Sequence, residues 1–132
     1  MGRRELREQI FLLLFRVEFN NPEDMPEQLR MFFEDDETYF SDKDETYITE
    51  KYEKIIEKKS ELDSLLDEKA EGWDVKRMGK IELAVLRLAL YEMKYDEDVP
   101  TSVAINEAVE LAKKFGQDNS GSFVNAILAK LV

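Results

Sequence analysis

Val99–Leu128 reads VPTSVAINEAVELAKKFGQDNSGSFVNAIL, and these thirty residues decide the fold class. Pro100 fixes φ at a value suited to a helix's first turn. Beyond it, Ala104, Ala108, Leu111, Ala112 and Phe115 recur at helical spacing and form one apolar face. Gly116 then ends the helix. Gln117–Ser120 is a polar loop, in which Asn119 or Ser120 can cap a following helix. Phe123, Val124, Ile127, Leu128 and Leu131 make the stripe of that helix. Two amphipathic helices joined at a glycine, with alanines that permit close approach, are the unit of a helical bundle.

The rest of the chain extends this pattern. Met1–Asn20 predicts a helix with one apolar row at Leu6, Ile10, Leu13, Leu14 and Val17 and a second at Phe11, Phe15 and Phe19. A helix apolar over so much of its girth is covered on more than one side, so it is expected between two halves of the protein. Asn21-Pro22 stops it. Asp24–Glu27 has the pattern of a capping box opening a short helix with Leu29, Phe32 and Phe33 inside. Glu34–Asp44 reads as an acidic loop, and Ser41–Asp44 as the cap of a long helix running to about Ala70. Gly72 interrupts the pattern. Trp73–Met78 reads as a short helix, and Ile81–Tyr95 as the most apolar helix, central to the C-terminal half. No stretch alternates as a strand does. The expectation is an all-α domain over residues 1–132, with about seven helices in two three-helix groups sharing one core. The groups divide near residues 71 and 72.

Composition narrows the function. The chain has no cysteine and no histidine, which removes disulfides, ordinary zinc sites and the Cys–His and Ser–His–Asp arrangements. There is no phosphate-cradling glycine loop, and the carboxylates of 35–44 lack the glycine of a calcium loop. An enzyme is not expected, and no cofactor or metal is called for. Ile10–Phe15 is too short to span a bilayer, and no leader is apparent, so a cytoplasmic protein is expected.

The net charge of −11 argues against nucleic acid when spread evenly, but it is not spread evenly. Residues 23–71 hold 18 acidic and 7 basic side chains, a net of −11, while 12 and 12 cancel elsewhere. The acidic segment reads as a solvated surface, leaving local basic patches possible. Arg3, Arg4 and Arg7 cluster in the first turns of the first helix, where cations oppose the helix dipole. They are either ordinary solvated charge or phosphate contacts. With Phe11 and Phe15 on the same ridge they supply the cations and aromatics that readers of single-stranded RNA combine, although for Phe11 and Phe15 alone packing in the core is the favoured reading. Phe123, in the first turn of the last helix, likewise faces either the core or a nucleotide at the helix N-terminus. Arg87, a lone cation among apolar positions, requires a buried carboxylate partner, and Glu107 is expected to supply it.

The sequence V-P-x-x-V-A-I-N-E-A-V-E-L-A-K-x-F-G, followed by S-x-x-F-V-N, resembles the C-terminal signature of the NusB family of bacterial transcription antitermination factors. Ala84–Glu92 and Arg3–Glu8 fall where that family has similar runs, and the resemblance covers nearly the whole chain. It implies the NusB fold and binding of boxA-type single-stranded RNA together with NusE, a small-subunit ribosomal protein, in the antitermination complex with RNA polymerase. It implies RNA contacts at Arg3, Arg4, Arg7, Phe15, Asn119, Ser120 and Phe123, and NusE contacts at Lys76 and Glu82. The chain departs from the family pattern at Glu5, a common arginine position, at Phe15, often tyrosine, at Lys76, sometimes glutamate, and at Ala126, where FVNA replaces FVNG. The alternative is a helical protein–protein interaction module with little or no RNA binding.

Overall fold

The computed structural model describes residues 1–132. The protein is all-α, with seven helices: α1 (Arg3–Val17), α2 (Met25–Phe33), α3 (Asp42–Glu57), α4 (Lys59–Lys69), α5 (Lys80–Tyr95), α6 (Thr101–Phe115) and α7 (Ser120–Ala129). Short 3-10 turns cover Pro22–Asp24 and Val75–Arg77. None of the helices is long and apolar enough to cross a membrane.

Two compact units are formed, Met1–Lys54 and Ile55–Val132. In the first, α1 packs on α2. Ile10, Phe11, Leu13 and Leu14 of α1 are buried, as are Met25 and Phe32 of α2. Asp24 does not cap α2 as expected. It ends the preceding 3-10 turn in a helical conformation (φ −89°, ψ −13°), whereas a capping side chain needs an extended backbone to fold back on the first turn. Ser41 does cap α3: the Asp44 N–H donates to Ser41 Oγ at 3.1 Å and the Ser41 N–H to Asp44 Oδ2 at 3.4 Å, the reciprocal pattern of a capping box.

The long helix expected over 41–70 is two helices, broken at Lys58 (φ −96°, ψ 2°). The apolar period runs through the break, with Ile48, Tyr52, Ile55, Leu62 and Leu66 all buried. The short helix expected over 73–78 is only the 3-10 turn, capped by Asp74, whose Oδ1 accepts the Arg77 N–H at 3.0 Å.

In the second unit α5 packs against α4, α6 and α7, and α6 packs against α7. Every side chain of α5 from Leu83 to Glu92 is buried. Arg87, 4% exposed, donates from Nε to Asp63 Oδ1 at 2.8 Å and from Nη2 to Asp63 Oδ2 at 3.0 Å. This two-point bond ties α4 to α5. The units divide at 54/55, where sequence placed the division near 71. Glu107 is half-buried on α6.

Candidate nucleic-acid interface

The predicted RNA-contact residues lie in both units. In the first, α1 opens at Gly2, which is extended (φ −75°, ψ 169°) and contributes no side-chain cap. Arg3 and Arg4 of its first turn are exposed. Arg7, read from sequence as solvated charge or a phosphate contact, has only 8% of its surface accessible. It sits three and four residues before Ile10 and Phe11, on the face α1 buries, and a long arginine stem lies along apolar surface readily.

The aromatic row of α1 is graded. Phe11 is buried, Phe15 half-buried and Phe19 59% exposed. The rings of Phe11 and Phe15 stack at 6.3 Å, and those of Phe15 and Phe19 meet edge to face at 5.0 Å. Phe15 and Phe19 enter a cleft of about 430 Å³ that Phe32, Phe40 and Arg16 also line. The Arg16 guanidinium lies 5.2 Å from the Phe32 ring centre and donates to Gln28 Oε1 at 3.2 Å.

In the second unit, the start of α7 is built around Ser120. Its Oγ accepts the Gln117 N–H at 2.9 Å and donates to Glu82 Oε1 at 2.6 Å. Two glycines make room. A Cβ on Gly116 would stand 2.5 Å from Ser120 Oγ, and one on Gly79 would stand 2.4 Å from Glu82 Oε2. Ser120 is 1% exposed, and its hydroxyl is committed to Gln117 and Glu82. Asn119 is exposed, and its side chain does not cap α7. Glu82, expected at the partner surface, is half-buried in the first turn of α5. Lys76 is exposed on the 3-10 turn.

Phe123 is half-buried and faces an aromatic neighbour that sequence reasoning did not single out. Trp73 meets it edge to face at 5.5 Å and 79°, and is itself 47% exposed. The Arg77 guanidinium lies 5.7 Å from the Trp73 ring centre. A tryptophan flanked by glycine and aspartate, with two cations following in WDVKR, was the available signal.

The second unit thus brings an exposed cation beside partly exposed rings, Arg77 with Trp73 and Phe123, while in the first Arg3 and Arg4 stand exposed at the start of the helix whose later turns carry Phe15 and Phe19. Cations hold phosphates and rings stack bases, and neither activity needs a nucleophile or a metal. No group of three or more acidic residues is placed to hold a metal ion.

The model of the NusB family matches residues 4–132. The transcription antitermination protein NusB of Agathobacter rectalis is 52% identical over 130 residues, 98% of this chain and 98% of that protein. That of Lachnoclostridium phytofermentans is 47% identical over 132 residues, all of this chain and 99% of that protein. Among solved structures, T. maritima NusB superposes with a TM-score of 0.87 at 37% identity, covering 99% of this chain and 90% of that one. A chain in the crystal structure of antitermination factors NusB and NusE in complex with dsRNA shares the fold, with a TM-score of 0.78 at 23% identity over 96% of this chain and 92% of that one. A family match over residues 4–132, with relatives about half identical along their whole length, settles the affiliation: this chain belongs to the NusB family.

Proposed function

We propose that this chain is a non-enzymatic adaptor of transcription antitermination. It binds boxA-type single-stranded RNA of nascent ribosomal transcripts together with a NusE-like small-subunit ribosomal protein, in the cytoplasmic antitermination complex of RNA polymerase. The observation that carries the reading is the exposed Arg77 guanidinium beside the partly exposed rings of Trp73 and Phe123, with Arg3, Arg4, Phe15 and Phe19 accessible along α1. Single-stranded RNA is held by that combination because every base has a face to stack and every nucleotide a charge to neutralise. The acidity of 23–71 leaves the remainder of the chain electrically balanced, so local attraction of phosphate is not opposed there. Asn119, exposed before α7, supplies an amide for a base or sugar, and Lys76 and Glu82, on either side of Gly79, supply the polar contacts of the protein partner.

The test is titration of a labelled single-stranded boxA RNA with the chain alone and with the NusE-like protein of the same cell. Binding that tightens when the ribosomal protein is added, and that exceeds binding to a scrambled RNA, is expected. A chain that binds the ribosomal protein yet leaves both RNAs free would instead be a protein–protein module.

A further inference from the structure

The loop joining α4 to α5 is more tightly built than a connection requires. Gly72 takes a left-handed conformation, φ +77°, and turns the chain. The Trp73 N–H then donates to the Ala70 carbonyl at 2.8 Å. The Val75 N–H donates to Asp67 Oδ1 at 2.7 Å, and the Arg77 N–H to Asp74 Oδ1 at 3.0 Å. Arg77 Nη1 reaches back to the Gly72 carbonyl at 3.2 Å. These bonds fix the backbone on both sides of Trp73. The side chain so fixed is not buried. It stands on the edge of Phe123 with nearly half its surface open.

Charges of both signs surround it, and a cation lies against the ring. Asp74 spends a carboxylate oxygen on Arg77 N–H, and Glu71 faces Lys130 at 3.7 Å. Lys76 and Arg77 stand exposed on the same turn, with the Arg77 guanidinium beside the indole. A rigid, half-open ring with a cation at its side matches a stacked nucleotide, the ring taking the base and the cation the phosphate. Because the ring is already held in place, little side-chain freedom remains to be lost on binding.

We propose that Trp73 is a base-stacking residue of the RNA site, continuing the surface of Phe123 and assisted by Arg77. The proposal rests on the RNA-binding reading above. Trp73 is the one tryptophan of the chain, so its fluorescence reports on this position alone. A 12-nucleotide single-stranded boxA RNA is titrated against the full chain, following tryptophan emission with unlabelled RNA and anisotropy with a fluorescein-labelled copy. Emission is expected to fall and to saturate with the anisotropy midpoint. Trp73→Ala is expected to weaken binding roughly 5- to 150-fold, the range for one stacked base, while Trp73→Phe retains most of the affinity. Circular dichroism at the titration temperature establishes that both variants are folded. Tight binding by anisotropy, with unchanged emission and an unweakened Trp73→Ala variant, overturns the proposal and leaves the RNA reading intact. Emission that responds to the ribosomal-protein partner and not to RNA assigns the ring to the protein interface and overturns it as well. Absence of RNA binding in either titration overturns both readings.

Discussion

Ser120 Oγ donates to Glu82 Oε1 at 2.6 Å, so the first residue of α7 is bonded to the first turn of α5. One of these residues was expected at the RNA surface and the other at the protein surface, and they are partners of each other. A hydrogen bond to a charged group contributes about 1.5–3 kcal/mol. Ser120→Ala is therefore expected to destabilise by about that amount in denaturant melts. Glu82→Gln still accepts the hydroxyl proton and is expected to weaken the NusE-like partner's binding while sparing RNA affinity. Glu82→Lys breaks the bond and is expected to weaken both. Equal RNA affinity for Glu82→Lys and the parent would uncouple the two surfaces.

The arginines of α1 are expected to divide. Each phosphate contact contributes about 0.7 to the slope of log K against log salt on single strands. Arg3→Ala and Arg4→Ala should each flatten that slope and leave the melting temperature where it is. Arg7, at 8% exposure, should lose stability as well, because its stem fills space that alanine leaves empty. Anisotropy titrations at four salt concentrations, beside thermal melts, separate the two behaviours.

Removing one member of a buried ion pair typically costs 3–5 kcal/mol, because the other is left uncompensated. Arg87 is 4% exposed and Asp63 19%, so Asp63→Ala is expected near the lower end, about 3 kcal/mol. We propose Glu107 as a second carboxylate for the same guanidinium. Glu107→Gln and Asp63→Ala should then be non-additive by about 0.5–3 kcal/mol in a double-mutant cycle. Strict additivity would remove Glu107 from the pair.

For a fully buried phenylalanine, truncation to alanine costs about 3–5 kcal/mol. Phe123 is only half-buried, so Phe123→Ala should cost about half of that, including the loss of its edge-to-face contact with Trp73. RNA affinity measured on the folded variant should fall further than stability does. Unchanged affinity per folded molecule would make Phe123 a packing residue only.

Tyr52 gives the fold an alkaline limit. Burial, with a smaller contribution from the charge of Glu53, pushes its hydroxyl up to about 12. Below pH 10 the tyrosine is neutral in the folded and unfolded chains alike, and its full contribution to stability is present. Between about pH 10 and 12 only the unfolded chain ionises, so stability falls. Denaturant midpoints measured from pH 9 to 12 should decline, and decline less in Tyr52→Phe.

Sequence was most informative where a local signal marks an element. Pro100 and Gly116 bracket α6, which runs Thr101–Phe115, and the dense apolar run of α5 was placed to within a residue. The break at Lys58 left no trace, because neither glycine nor proline marks it and the buried row continues from Ile55 to Leu62. At the site, the exposure of Arg3 and Arg4 was readable from their place in the first turn, before the apolar row begins at Leu6. Asp63 as a partner of Arg87, and the partners of Ser120 and Phe123, were not. Asp63 lies 24 residues from Arg87 and Glu82 38 from Ser120, and helical spacing constrains neighbours along one helix, not across a bundle.

Gly72 is the one residue with φ in the left-handed region, at +77°, and the place where its Cβ would stand is open space. What bars other residues is therefore chirality and not room. An L-alanine here is expected to cost about 1–2 kcal/mol and to disturb the presentation of Trp73. A D-alanine, introduced by chemical ligation, has the opposite hand and favours this backbone. It also removes freedom from the unfolded chain, as glycine replacements do at compatible sites, by about 0.4–1 kcal/mol. The orientation of the tryptophan thus depends on a mirror-image turn that, among the encoded amino acids, glycine alone adopts without strain.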